Sequence, residues 1–436
     1  MRTCSRNPLA SQFLRIFGHS LKVGVILALP VIATLLTGMV VHGTASARAA
    51  QGNLVTGTSL ADYYRQLHRI APQLPQIHEQ ILASVQRNRK LRMRTDGFLV
   101  LDEHIIPHAS KGIEGVDSYY SPSERKVVLG HSLIMAHYFR GRVEYPVAGD
   151  YYRRERELTA RGQEWKFRKK NAIAREMFKK FAKDPHAPHT WLLDRYFMTK
   201  DNGQLIEKLG RYFISRPKKN WNCTYNRRKT DIASLYDTIR KKEFAVVVVR
   251  SPKTHKVRRY YAAIRDVWVR KLGMVRVVFV DGSRLPPDPG AEHADAEVDE
   301  SPGEKKFRAF ITNHVDWDAG RVLCAYAIRW TIETCFRDLI QHLGLHTCQW
   351  RDIACQQGFV AASFLCYLFL AWLKVSGEIA AGGGGRETIG DLRENFSRYC
   401  QDLYAKHLRT LRPIEDPGGP GAWVYDHLLG GRGYSA

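Results

Sequence analysis

Acidic side chains are scarce in this 436-residue chain: 43 Asp and Glu stand against 67 Lys and Arg, a formal net charge of +24 at pH 7. Such an excess speaks about partners rather than fold. It suits DNA, RNA or an anionic membrane surface, with a basic enzyme lacking any polyanionic partner as the plain alternative. Paired cysteines are missing too. Cys4, Cys223, Cys324, Cys335, Cys348, Cys355, Cys366 and Cys400 stand singly, with no C-x2-C pair and no histidine at finger spacing, which argues against structural zinc. Several lie in apolar runs, where a reduced cysteine acts as a small hydrophobe, as in a reducing cytosol. A composition 44% hydrophobic and 25% charged excludes a wholly disordered or collagen-like chain, and the length allows about two or three domains.

Two long apolar runs need a reading. Near the N-terminus, Arg2, Arg6, Arg15 and Lys22 precede VGVILALPVIATLLTGMVV and then Ala45-Ser46-Ala47, the pattern of a secretory signal. The run is long for that purpose, contains Pro30 and leads into the amphipathic SLADYYRQLHRI, so an N-terminal helical domain is the preferred expectation. The second run, Gly358 to Val375, is only just long enough to span a bilayer and is read as a buried core helix.

Residues 1–95 read as a helical, DNA-binding region ending in the basic QRNRKLRMR. Strands follow at Phe98 to Ile106 (FLVLDEHII), Lys126 to Phe139 and Val143 to Val147, and their close spacing suggests an antiparallel meander. From Arg140 to Lys183 there are fourteen Lys and Arg against six Asp and Glu. The helical half of that segment, WKFRKKNAIAREMFKKFAK, includes Lys169 and Lys170 and is read as a surface for the DNA backbone, the alternative being a solvated helix face. HTWLLDRYF (His189 to Phe197), NGQLIEKLGRY and FISRP form a strand, helix, strand unit. Lys218 and Lys219 follow it as DNA contacts or as a solvated pair. A β-rich block occupies 244–310, interrupted by a Pro/Gly/acid loop with seven acids between Asp288 and Glu304. After the strand FRAFITNHVDW, Arg321 to Leu343 reads as one long helix, with residues 376–436 as a C-terminal tail.

On that helix Tyr326, Arg329 and Glu333 fall at i, i+3 and i+7, on one face. A carboxylate held beside a phenol and a guanidinium can keep a metal next to a phosphate; the plain alternative is a surface Arg–Glu pair. Trp330 either packs in the core or stacks on a displaced base.

The string Tyr326-x2-Arg329-x3-Glu333, with Trp330, Ile332 and Phe336 around it and Leu343-Gly344-Leu345 after it, resembles the helix signature of bacterial insertion-sequence DDE transposases, the group named after insertion sequence four. The resemblance spans roughly residues 95–375. It implies an α/β fold: an RNase H-like core with a mixed sheet (96–243 and 311–375), a β-rich insertion before the last catalytic helix (244–310) and a helical N-terminal domain. It further implies a first Asp on the first strand, Asp102 in LVLDEH, and a second just after the fourth, Asp194 in WLLDRYF, with Glu333 as the third acid. The family pattern asks for a Lys seven residues after the Glu, where this chain has Ile340.

These carboxylates would bind Mg²⁺, or Mn²⁺ in its place, since hard cations take oxygen ligands and in-line phosphodiester displacement uses two of them. Asp102 is expected to bridge the metals, Asp194 and Glu333 to hold one side each, and Arg329 and Tyr326 to grip a phosphate. Strand alternation sends Glu103 to the opposite face; Asp281, Asp316 and Asp318 are read as turn residues, and His104, His108 and His131 as bystanders. The expected function is a transposase acting on double-stranded DNA, both terminal inverted repeats and target, as a homodimer in the cytoplasm with no stable membrane partner. A purely hydrolytic nuclease of the same fold and a catalytically decayed DNA-binding relative are the alternatives.

Overall fold

The computed structural model describes residues 59–121, 125–250, 257–282, 307–348, 350–376 and 387–410, with parts of 31–43. The signal-like stretch through Pro30, Ala45 to Ala47, the acidic loop 288–304 and residues 411–436 lie outside the described residues. The chain divides into two compact units: one formed by 86–337 with 350–353, the other by the flanking N-terminal and C-terminal segments with 338–349.

The first unit is built on a sheet, twelve-stranded among the described residues. Five strands make its framework: β1 (Phe98–Pro107), β3 (Lys126–Arg140), β4 (Val143–Tyr152), β5 (Thr190–Leu193) and β6 (Tyr212–Ser215), with the short β2 (Asp117–Ser121) beside β3. β3 lies antiparallel to both β1 and β4, while β5 runs parallel to β1 and to β6. The order β4-β3-β1-β5-β6 is that of an RNase H-like core, as expected. Leu99, Val100 and Leu101 of β1 and all four residues of β5 are buried, the continuous apolar runs of strands covered on both faces. Their cover comes from helices: α1 (Glu155–Thr159) and α2 (Lys170–Ala182) lie between β4 and β5, and α3 (Lys200–Lys208) crosses from β5 to β6. Phe178 and Phe181 of α2 meet the Trp191 ring edge-on.

Beyond β6 the sheet becomes antiparallel. β12 (Phe307–Thr312) pairs with β6, then β11 (Gly273–Asp281), β10 (Val257–Val269) and β9 (Ala245–Arg250) follow, and the hairpin β7 (Asn222–Tyr225) and β8 (Arg228–Asp231) joins β10. The short α4 (Ile232–Asp237) follows the hairpin. Asp281 ends β11 and is buried; Asp318 caps the next helix by accepting the Arg321 amide at 2.7 Å.

Two elements differ from the sequence reading. The strand expected over His189 to Phe197 stops at Leu193, because the Asp194 side chain accepts the Tyr196 amide at 3.1 Å and its carbonyl accepts those of Phe197 and Met198. An aspartate that binds the backbone two residues on closes a turn. The long helix expected over Arg321 to Leu343 is two, α5 (Ala319–Ala327) and α6 (Trp330–Gln341). Between them the amides of Ile328, Arg329, Thr331 and Ile332 bond to carbonyls three residues back, at 2.9–3.2 Å. That pattern is overwound relative to an α-helix and brings residues three apart into line.

The second unit is helical, with α7 (Ile353–Ser376) as its core helix beside α8 (Ile389–Thr410) and the paired N-terminal helices Leu60–Ile70 and Leu74–Val85. The apolar window of α7 is 89% buried. Gly358 lets α7 approach closely: a Cβ there would sit 2.0 Å from the Ala71 carbonyl oxygen. Cys366 and Phe369 meet Leu36 and Phe396. Among the described cysteines, Cys223, Cys324, Cys366 and Cys400 are free thiols.

Candidate active site

The parallel pairing of β1 and β5 fixes the first two carboxylates. Leu101 is in register with Leu193, the last pair between the two strands, so Asp102 and Asp194 each stand one residue further on, just past that pairing. Neighbouring strands lie about 4.8 Å apart, which makes the two side chains close neighbours. The turn after β5 keeps Asp194 there, and the Asp194 amide reaches back to Leu101 O at 3.5 Å.

The third carboxylate comes from α6. Arg329, in the overwound link, donates from one guanidinium nitrogen to Asp102 Oδ2 at 2.9 Å and from the other to Glu333 Oε1 at 2.7 Å. Its side chain is buried, so one cation ties the strand acid to the helix acid inside the protein. His104 shares the Asp102 face of β1 by alternation and stacks on Phe336 of α6, with ring centroids 4.8 Å apart. Burial lowers the His104 pKa, which keeps the ring neutral and suited to that contact. A residue read as a bystander therefore helps dock the Glu333 helix.

The electrostatics are unbalanced. Burial, and then the neighbouring Asp194, push Asp102 up to about 8, against the opposing pull of Arg329. Burial disfavours the charge on Arg329, but Tyr326, Asp102, Glu333 and Asp194 outweigh it and raise its pKa, so the guanidinium stays charged. Tyr326, half-buried and edge-on to Phe310 at 5.0 Å, is likewise raised by burial. Arg216, directly after β6, acts on Tyr326 electrostatically. Within SRPKKN it carried no signal beyond those of its basic neighbours.

The remaining expected residues surround this cluster unevenly. Trp330, beside Arg329, is 42% exposed rather than in the core. Lys218 and Lys169 are exposed, and Lys219 is half-buried with its ammonium 5.4 Å from the Phe307 ring. Lys170 turns inward to Glu103, on the face of β1 opposite Asp102.

Two carboxylates placed side by side where the β1–β5 pairing ends, and a third on α6 tied to the first by a guanidinium, form an acidic cluster within an RNase H-like core. Residues 168–369, just under half of the chain, match the family model described as "Transposase DDE domain". That span contains Asp194, Glu333 and the Tyr-Arg-Glu string and begins after Asp102. The match supports a DNA-acting function of the transposase and nuclease kind. No curated protein matches the sequence. Among solved structures, the synaptic complex of piggyBac transposase with hairpin DNA, determined by cryo-EM, is similar over 98% of this chain and 84% of that one, with 11% identity and a TM-score of 0.48.

Proposed function

We propose that the protein is a DNA transposase that binds the terminal inverted repeats of its element, cleaves DNA in a Mg²⁺-dependent reaction and joins the exposed 3′-hydroxyls to target DNA. The observation carrying this reading is the β1–β5 register that brings Asp102 beside Asp194, with Arg329 linking Asp102 to Glu333. The donor set is of the chemistry a hard divalent cation takes: all three residues are carboxylates, and the upward shift of Asp102, caused by burial and then by Asp194, is one that such a cation would oppose. When bound, Mg²⁺ or Mn²⁺ supplies charge stabilisation at the attacking and leaving oxygens of an in-line displacement.

The chain's own residues do the rest. Asp102, beside Asp194 and linked through Arg329 to Glu333, would be the ligand common to both sides. Arg329 and Tyr326 grip the phosphate being cut, the guanidinium through paired charge-assisted bonds and the phenol as a donor. Trp330 offers an exposed ring to a displaced base, while Lys169, Lys218 and Lys219 track the backbone. In this reading residues 1–95 bind the element ends, the 244–310 block is the family's β insertion, and two copies work together in the cytoplasm.

A cleavage and strand-transfer assay on end-bearing duplexes tests the proposal. Asp102→Ala, Asp194→Ala and Glu333→Ala should each lose Mg²⁺-dependent cleavage and keep DNA binding. Ile340, where the family pattern has Lys, favours a second reading as a decayed DNA-binding relative. Wild-type protein that leaves DNA intact with both Mg²⁺ and Mn²⁺ would establish it, and cleavage without joined product would point to a nuclease.

A further inference from the structure

On the face of β1 that points away from Asp102, one half-buried ammonium touches the segments behind two of the proposed metal ligands. Glu103 accepts a hydrogen bond from the Ser132 hydroxyl of β3 at 2.6 Å and forms an ion pair with Lys170. Both ionic side chains are only 18% exposed. The Lys170 ammonium also lies 5.8, 5.1 and 5.5 Å from the ring centres of Tyr119, Tyr152 and Tyr196. Tyr196 is the residue whose amide bonds Asp194 Oδ2.

Lys170 is an odd residue for its place. It opens α2, where the helix dipole disfavours a cation, and Lys169 before it provides no side-chain cap. Helix stability does not account for a lysine there, whereas the tertiary contacts do.

We propose that Lys170 is a positioning residue for the metal-binding aspartates: it clamps Glu103, and so the β1 pleat carrying Asp102, and it clamps Tyr196, and so the turn carrying Asp194. The inference rests on the metal-dependent reading above and assigns Lys170 to the site's support rather than to the DNA backbone. Partners behind the ligands set ligand orientation, and their loss typically costs about 10–100-fold in metal affinity.

The test is Mn²⁺ binding to the full-length protein in the absence of DNA, followed by the paramagnetic signal of free Mn²⁺, together with DNA affinity across a salt series without metal. Lys170→Met should weaken Mn²⁺ binding about tenfold, Lys170→Arg should weaken it less, and neither should change DNA affinity or its salt slope. Tyr196→Leu removes only the half-exposed turn anchor and should weaken Mn²⁺ binding in the same direction, which keeps the test open if Lys170→Met does not fold. Wild-type Mn²⁺ affinity in Lys170→Met or, should that variant not fold, in Tyr196→Leu would overturn the proposal. So would a lower DNA affinity with a shallower salt slope, which would make Lys170 a phosphate contact. If wild type itself binds no Mn²⁺ at Asp102 and Asp194, the metal reading fails first and takes this inference with it.

Discussion

Asp102 and Glu103 are neighbours on one strand, yet they belong to opposite kinds of place. Around Asp102, two carboxylates share one guanidinium with a third, Asp194, beside them, and Asp102 is pushed up to about 8. Around Glu103, one carboxylate meets one ammonium and one hydroxyl. The second arrangement balances charge and holds structure. The first holds the Asp102 carboxyl protonated up to a pH of about 8, a departure of the kind that clusters at functional sites and that sets it apart from a purely structural ion pair. Burial alone would not tell the two apart, since both carboxylates are largely removed from water.

The contrast can be broken by exchanging charge for neutrality on each face. Asp102→Asn removes a ligand with almost no change of shape and should reduce cleavage by at least about 10³-fold, the scale of several kcal/mol of lost charge stabilisation. Glu103→Gln should retain cleavage at saturating metal, so equal losses in single-turnover assays would erase the distinction.

Stability should respond in the reverse order. Glu103→Ala leaves Lys170 with no carboxylate partner in a largely buried place and should cost about 2–3 kcal/mol in urea unfolding, a little below the ~3–5 kcal/mol of fully buried pairs. Replacing both partners, Glu103→Leu with Lys170→Met, should recover most of that loss.

A smaller effect concerns pH. The folded state holds the Asp102 proton more tightly than the unfolded chain, whose carboxyl has the ordinary value of 3.8. The unfolded state therefore binds fewer protons between that value and about 8, and metal-free protein should lose stability as pH rises through this window. Urea midpoints in EDTA, compared between wild type and Asp102→Asn, check the sign: the variant should show a flatter dependence.

Much of this was legible in the chain itself. The unbroken apolar run of LVL before Asp102 and the apolar WLL before Asp194 mark strands buried on both faces, and alternation alone separates Asp102 from Glu103. The Tyr-Arg-Glu spacing was legible as well, because three and seven residues bring side chains to one side of a helix. The break at Ile328 and Arg329 was not, since neither residue is a helix breaker; tertiary packing fixes the tighter turn. Trp330 was ambiguous for a similar reason: an aromatic at a helix start says nothing about which side is covered.

The sequence by itself determined two carboxylates that follow short apolar runs and a third on a helix, because these follow from periodicity and local pattern, while the RNase H-like fold was implied by the resemblance of the Tyr-Arg-Glu string. Only the tertiary structure decided that Leu101 lies in register with Leu193, that Arg329 spans two acids and that Lys170 turns inward among three tyrosines. Those contacts join residues far apart in the chain, and a long side chain such as lysine or arginine reaches solvent or core equally well until the folded surroundings fix its direction.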